Sequence, residues 1–398
     1  MPSFAKRITV MEKSATIIRN LFSAMTDPEI ISFGGGAPAP EALPMNILRE
    51  IASEVLSSDK RGIEAFQYGS PIGMLELREI IARDLLTPKG VDAKPENILI
   101  GNGGLEAINL ICQLFIEPGD VILVERPTFL QCAEIFEMFE AKCVSCQMDD
   151  DGVVIEEVEE KIKQHNPKIV YTIPTFQNPT GKTLSLERRK ALAELGAKYD
   201  VIILEDDPYR DIRYSGSDLA PIKAFDKSGH TVLANSFSKI FSPGSRLGYV
   251  VANDLIIKKL FDAKTATNSH SGMISQVLCA EFFKRGFFPA HHKMICDLYR
   301  VRRDVMMECI DKFFPEGTKR IYPDGGLFTW AELPGGLNAT ELLKEAITHK
   351  IAYVAGEGFF TDGNGLGSNC MRISFGSIEP ERIRVGMERL GKLICSKL

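Results

Sequence analysis

No apolar run in the 398-residue sequence approaches the length needed to cross a bilayer, and the opening stretch from Met1 to Arg7 has no signal-type apolar region. The expectation is a soluble cytoplasmic protein with no membrane partner. Positive charge is not in surplus either. The 47 Lys and Arg against 53 Asp and Glu give a net charge of -6, and no basic cluster offers itself to nucleic acid. The nine cysteines are scattered and odd in number, which suits a reducing compartment better than a disulfide framework. Cys143 and Cys146 form a CxxC with no second pair and no suitably spaced histidines, so no metal site is expected there. The carboxylates of Asp149-Asp150-Asp151-Gly152 are consecutive where a calcium loop needs them alternating, so both segments read as a strand and its exit turn. His291 and His292 read as the surface of a helix. Low-complexity linkers and internal repeats are absent.

What remains is a composition, 44% hydrophobic and 25% charged, able to bury a large core in a chain longer than one ordinary domain. Short β-branched runs alternate with longer helical patterns. The runs are Asn97 to Ile100, Val121 to Val124, Ile169 to Ile173, Val201 to Leu204, Thr231 to Ala234 and Gly248 to Ala252. Between them lie patterns such as Leu184 to Gly196, where Ser185 can cap a helix. This alternation predicts an open α/β sheet, mainly parallel and covered by helices. In such sheets ligands bind beyond the carboxyl ends of the strands, and the chemistry-bearing motifs each follow one of these runs.

The motif around which the others gather is Ser236-Phe237-Ser238-Lys239, followed by the turn Pro243-Gly244 and by Arg246. A lysine amine that loses its proton in a partly desolvated site near another cation can form a Schiff base with an aldehyde cofactor. Arg246, Ser236 and Ser238 supply donors suited to a phosphate. A second motif, Gly101-Asn102-Gly103-Gly104-Leu105, carries a strand through glycines into a helix, whose first amides suit the same anion. Further motifs are Asn178-Pro179-Thr180-Gly181, read structurally as a tight loop, and Glu205-Asp206-Asp207, three acids at a strand end where a bound cation would justify them.

SFSKxxxPGxRLGY, with Lys239 at its centre, resembles the cofactor-lysine segment of class I aminotransferases, pyridoxal 5'-phosphate (PLP) enzymes of fold type I. The branch most resembled contains the 2-aminoadipate and kynurenine aminotransferases. The likeness runs from Ile31-Ser-Phe-Gly-Gly-Gly36 to Arg372-Ile-Ser-Phe375. It implies a large domain, residues 46–290, with a mainly parallel seven-stranded sheet. A smaller α+β domain would comprise residues 1–45, including an N-terminal arm, and 291–398. It also implies roles for residues. Gly103, Gly104 and Leu105 would hold the phosphate through backbone amides, since Gly104-Leu105 stands where relatives have side-chain donors. Phe129 would stack on the pyridine ring, Asn178 and Tyr209 would bond its phenolic oxygen, and Asp206 would pair with its nitrogen. Arg372 would clamp the α-carboxylate of the substrate, Gly36 would lie against that substrate, and Arg19 would approach a distal carboxylate. Tyr68 would reach the phosphate of a partner subunit, making the active unit a homodimer.

The function so implied is ping-pong transfer of an amino group from an L-amino acid to a 2-oxo acid, with Lys239 anchoring the cofactor and moving the α-proton. A carbon-sulfur β-lyase of the same fold would use Lys239 identically and is the alternative. Regulators that carry such a domain behind a DNA-binding head are disfavoured, because the pattern begins at residue 31.

Overall fold

A computed structural model describes residues 3–5, 7–10, 27–363 and 365–398. Its strands, in chain order, are β1 (Ile31–Ser32), β2 (Ile98–Gly101), β3 (Val121–Arg126), β4 (Lys142–Asp149), β5 (Gly152–Val153), β6 (Ile169–Thr172), β7 (Ile202–Asp206), β8 (Thr231–Ser236) and β9 (Gly248–Val251), then β10 (Lys319–Arg320), β11 (Phe328–Glu332), β12 (Ile351–Ala352), β13 (Val354–Ala355) and β14 (Cys370–Ser374). The main sheet has the order β2-β9-β8-β7-β6-β3-β4-β5. From β4 through β8 the neighbours are parallel; β9 pairs antiparallel with both β8 and β2. β5 adds two residues antiparallel to the end of β4, so the sheet is the expected seven strands with a short eighth. β4 contains the Cys143-Cys146 pair, and the acidic turn follows it.

Period-two alternation explains why these runs become strands buried on both faces. Ile122, Val124, Ile169, Tyr171 and Leu204 belong to the larger core, together with Ile108 and Ile111 of the helix Gly104–Phe115 and Phe136 of the helix Leu130–Met138. Their neighbours Leu123, Val170 and Ile203 point the other way, into a core shared with Val158 and Ile162 of Ile155–His165 and with Leu192 and Leu195 of Leu186–Tyr199. Ser185 does stand at the N-cap of that last helix, but its side chain makes no capping bond.

A third core surrounds the small sheet β10-β11-β14-β13, the parallel pair β1-β12 and the helices Ala339–Thr348 and Pro380–Cys395. The helix Phe288–Phe313 serves two cores at once. Its Ile295 and Tyr299 pack in the larger one, and Val305, Met306 and Ile310 pack in the third. The pair expected on a helix surface departs from that reading. His291 is 5% exposed, its ring edge against Phe282, while Nε2 of His292 bonds the carbonyl of Asp211 at 2.6 Å. The run Phe282-Phe283, brought alongside by the preceding helix Met273–Lys284, supplies the apolar cover that the local sequence does not announce.

Candidate active site

β8 ends at Ser236, and the chain then turns into Lys239. The Ser236 hydroxyl donates to Oγ of Ser238 at 2.9 Å and accepts from the Ser238 amide, so the two hydroxyls are held side by side. The Lys239 amine donates to the carbonyl of Gly36 at 2.8 Å and lies 5.9 Å from the Tyr209 ring centroid. Burial, then Arg246 and Arg372, push its pKa down to about 8, which puts a neutral amine within reach at ordinary pH.

Arg246 closes the turn after Lys239 in the left-handed conformation, φ 50°, and donates to the carbonyls of Asn102 and Pro243, each at 3.3 Å. The first contact brings in the glycine turn. Gly103 has φ 89°, which calls for glycine, and a Cβ built there would lie 2.6 Å from Arg246 Nη2 and displace that guanidinium. A Cβ on Gly104 would stand 4.0 Å from Ser236 Cβ and from Asp206 Oδ1. The first amides of the helix Gly104–Phe115 have no carbonyl partner within it, and they open beside those residues. Sequence reasoning missed what braces this turn. Glu106 accepts from the Asn102 amide at 2.5 Å and from the buried Lys264 amine at 2.7 Å. Lys264 lies 158 positions away, and no local signal joins the two.

Alternation along β7 separates the three acids. Asp206 shares the face of Leu204, whereas Glu205 and Asp207 share that of Ile203. Glu205 accepts from the amides of Ile222 and Lys223, each at 2.8 Å, and Asp207 accepts from Arg210 at 2.8 Å. Asp206 instead lies beside the glycine turn, its Oδ1 4.0 Å from a Cβ built on Gly104. Its Oδ2 accepts from the Tyr171 hydroxyl at 2.8 Å, and burial pushes its pKa up to about 7.

Arg372, in the middle of β14, donates to Asn178 Oδ1 at 2.8 Å and to the Gly34 carbonyl at 2.7 Å. Its guanidinium lies between the rings of Phe328 and Phe359, 4.3 and 5.2 Å from their centroids, and its Nε has no partner. Burial lowers its pKa to about 10. The Asn178 side chain also meets the Tyr209 hydroxyl. A second missed residue holds this loop. Gln177 donates from Nε2 to Glu125 at 3.0 Å and to the Pro127 carbonyl at 2.8 Å, and its Oε1 accepts from the amide and hydroxyl of Thr180.

The remaining expectations are placed less centrally. Phe129 is half-buried at the start of the helix Leu130–Met138, and Leu105 is half-buried in the first turn of its helix. Tyr68 is 86% exposed, its ring against His270. Arg19 lies outside the described residues. A cavity of about 530 Å³ holds none of the expected site residues; it is lined by Lys89, Asp218, Lys293 and Asp297, whose charges pair with one another. Among the described residues no cluster could hold a metal ion, and no helix is long and apolar enough to cross a membrane.

A lysine just past a strand end of an α/β sheet thus lies near two arginines and next to paired serine hydroxyls, with a buried aspartate beside the glycine turn. Residues 29–390 match the family described as aminotransferase class I and II, and the chain belongs to it. It is 39% identical over 389 residues to aromatic-amino-acid aminotransferase 1 of Thermococcus litoralis, covering 96% of this chain and 92% of that one. A kynurenine aminotransferase of Pyrococcus horikoshii, solved with PMP and with KYN and KYA as substrate and product, superposes with TM-score 0.93. It is 37% identical, with 99% of this chain and 97% of that chain covered. An α-aminoadipate aminotransferase of Thermus thermophilus, solved with N-(5'-phosphopyridoxyl)-L-leucine, gives TM-score 0.90 at 30% identity, with 99% and 97% covered. The fold is therefore fold type I.

Proposed function

We propose that the chain is an aminotransferase that moves an amino group from an L-amino acid to a 2-oxo acid by a ping-pong mechanism, with 2-oxoglutarate as the acceptor. The cofactor is pyridoxal 5'-phosphate. When bound, it supplies an aldehyde that takes up the amino group and a ring that withdraws electrons from the substrate α-carbon. The residues present fit it. The glycine turn leaves room and free amides for a phosphate, with Ser236, Ser238 and Arg246 around it, and Asp206 is the acid of its run that lies beside that turn.

In this reading Lys239 anchors the cofactor, and its Nζ then carries a proton from the substrate α-carbon. A pKa near 8 suits an amine that must accept and return a proton. Arg372 binds the α-carboxylate, and Gly36, whose carbonyl already holds the lysine, lies against the same substrate. Asn178 and Tyr209 hold the phenolic oxygen, and Phe129 covers the ring. Tyr68, unused by its own chain, reaches the site of a second subunit in a homodimer. The domain division at 45–46 and 290–291 is part of the same reading, and the helix Phe288–Phe313 joins the two parts. Relatives named for aromatic amino acids and for kynurenine make an aromatic L-amino acid the first donor to try.

The observation that carries this is the chain of contacts in which Lys239 lies near Arg246 and Arg372, Arg372 bonds Asn178, and Asn178 meets Tyr209 near Asp206. Absorption spectra of the PLP-loaded protein, taken as single amino acids are added, test it. Loss of the lysine-bound band with release of the matching 2-oxo acid is the expected result, and Lys239→Ala should show neither. Release of ammonia and pyruvate would identify the lyase. Failure to take up PLP would end the reading altogether.

A further inference from the structure

The two carboxylate oxygens of Asp206 have different surroundings. Oδ1 lies toward the glycine turn, and Oδ2 takes the Tyr171 hydroxyl at 2.8 Å. Tyr171 pairs with Leu204 across β6 and β7, so Asp206 is two residues further along the same face, a diagonal reached only by a long side chain. The tyrosine ring is buried, its edge on Phe136 at a centroid distance of 5.2 Å, and cannot swing away. Burial raises the pKa of its hydroxyl far above the ordinary range, so the group stays protonated and can only be the donor in this contact.

We infer that Tyr171 is a positioning residue for the reaction: its hydroxyl fixes the Asp206 carboxylate with Oδ1 toward the cofactor ring nitrogen and keeps their shared proton on that nitrogen. The inference rests on the PLP reading above. A carboxylate that accepts a hydrogen bond holds a proton less tightly. Where Asp206 and a pyridine nitrogen share one proton, the bond from Tyr171 therefore moves it to the nitrogen, the form in which the ring withdraws electrons. The other titratable groups facing this carboxyl are Asp207 along β7, Glu125 at the end of β3, Cys132 of the helix Leu130–Met138, and Tyr209. The first two are acids that oppose its ionisation, which leaves Tyr171 as the group that favours it.

The test uses Tyr171→Phe, which removes only the hydroxyl. Ring-nitrogen NMR of the enzyme loaded with isotope-labelled PLP should move from the protonated toward the unprotonated range. The kcat should fall about tenfold, with the KM for the amino acid unchanged. In the cofactor-free protein, carbon NMR of labelled aspartate should show Asp206 titrating at higher pH in the variant. A ring-fluorinated tyrosine at position 171, a stronger donor of nearly the same shape, should shift both spectra the opposite way and keeps the question open to measurement if the phenylalanine variant folds poorly. An unmoved ring nitrogen with kcat within about twofold of the parent would overturn the inference. If the parent protein fails to bind PLP, the reading of function fails, while the Asp206 titration still reports on Tyr171.

Discussion

Asp206 shows how a buried carboxyl costs stability. Its carboxyl titrates near pH 7 in the folded protein because it is buried, against an ordinary value of 3.8. Between those values the folded state holds a proton that the unfolded state has released. Stability is therefore greatest at acid pH, falls as pH rises through this window, and carries the full cost above about pH 7. Asp206→Asn removes the titration. Urea melts of the cofactor-free protein should find the variant more stable than the parent at about pH 8, by on the order of 2 kcal/mol, and without that advantage at about pH 4. Activity should fall by at least about a hundredfold. Equal melts at both pH values would mean that the carboxyl is not strained by its burial.

The strand-turn-helix from β2 through Gly103 into Gly104–Phe115 is the element that holds the phosphate in the proposed reading. Gly103→Ala adds a Cβ at φ 89° and 2.6 Å from the Arg246 guanidinium, so both the turn and the arginine must shift. PLP titration should find the dissociation constant raised at least about tenfold, and the cofactor-free protein should lose about 1–3 kcal/mol of stability to the strained backbone. A second element, the loop 174–181, is held by Gln177. Gln177→Ala leaves Glu125 and the Pro127 carbonyl short of a donor and should lower stability by about 2–3 kcal/mol, read from chemical denaturation. The sequence made the first element legible, since glycines after an apolar run can do little else. The second was hidden, because Gln177 finds Glu125 only after β3 and β6 pair. The acids were half legible: the run after Leu204 marked a site, but only strand alternation told which one faces it. Strand β4, covered beyond β3 only by the two residues of β5, was harder to read than the buried strands, since its exposed and buried positions mix Lys142, Ser145 and Gln147 among cysteines.

At the scale of the molecule, the assembly is open to a direct test. If Tyr68 completes the site of a second subunit, Lys239→Ala and Tyr68→Ala chains should each be nearly inactive alone, and refolding them together should restore part of the activity. One site in each mixed dimer then has both side chains. No recovery, with native mass spectrometry of one isotope-labelled chain showing that mixed dimers form, would remove Tyr68 from the site. Its 86% exposure on the single chain is what gives this experiment its force. The helix Phe288–Phe313 carries a different consequence. Its 26 residues make a rod about 39 Å long, one end gripped by the core beneath Lys239 and the other by the core beneath Arg372. Such a rod acts as a lever: a tilt of about 3° at one grip displaces the far end by about 2 Å, comparable to the misplacement that costs a catalyst much of its rate. A substitution that shifts the packing at one grip is thus felt at the other, without altering any group of the candidate site.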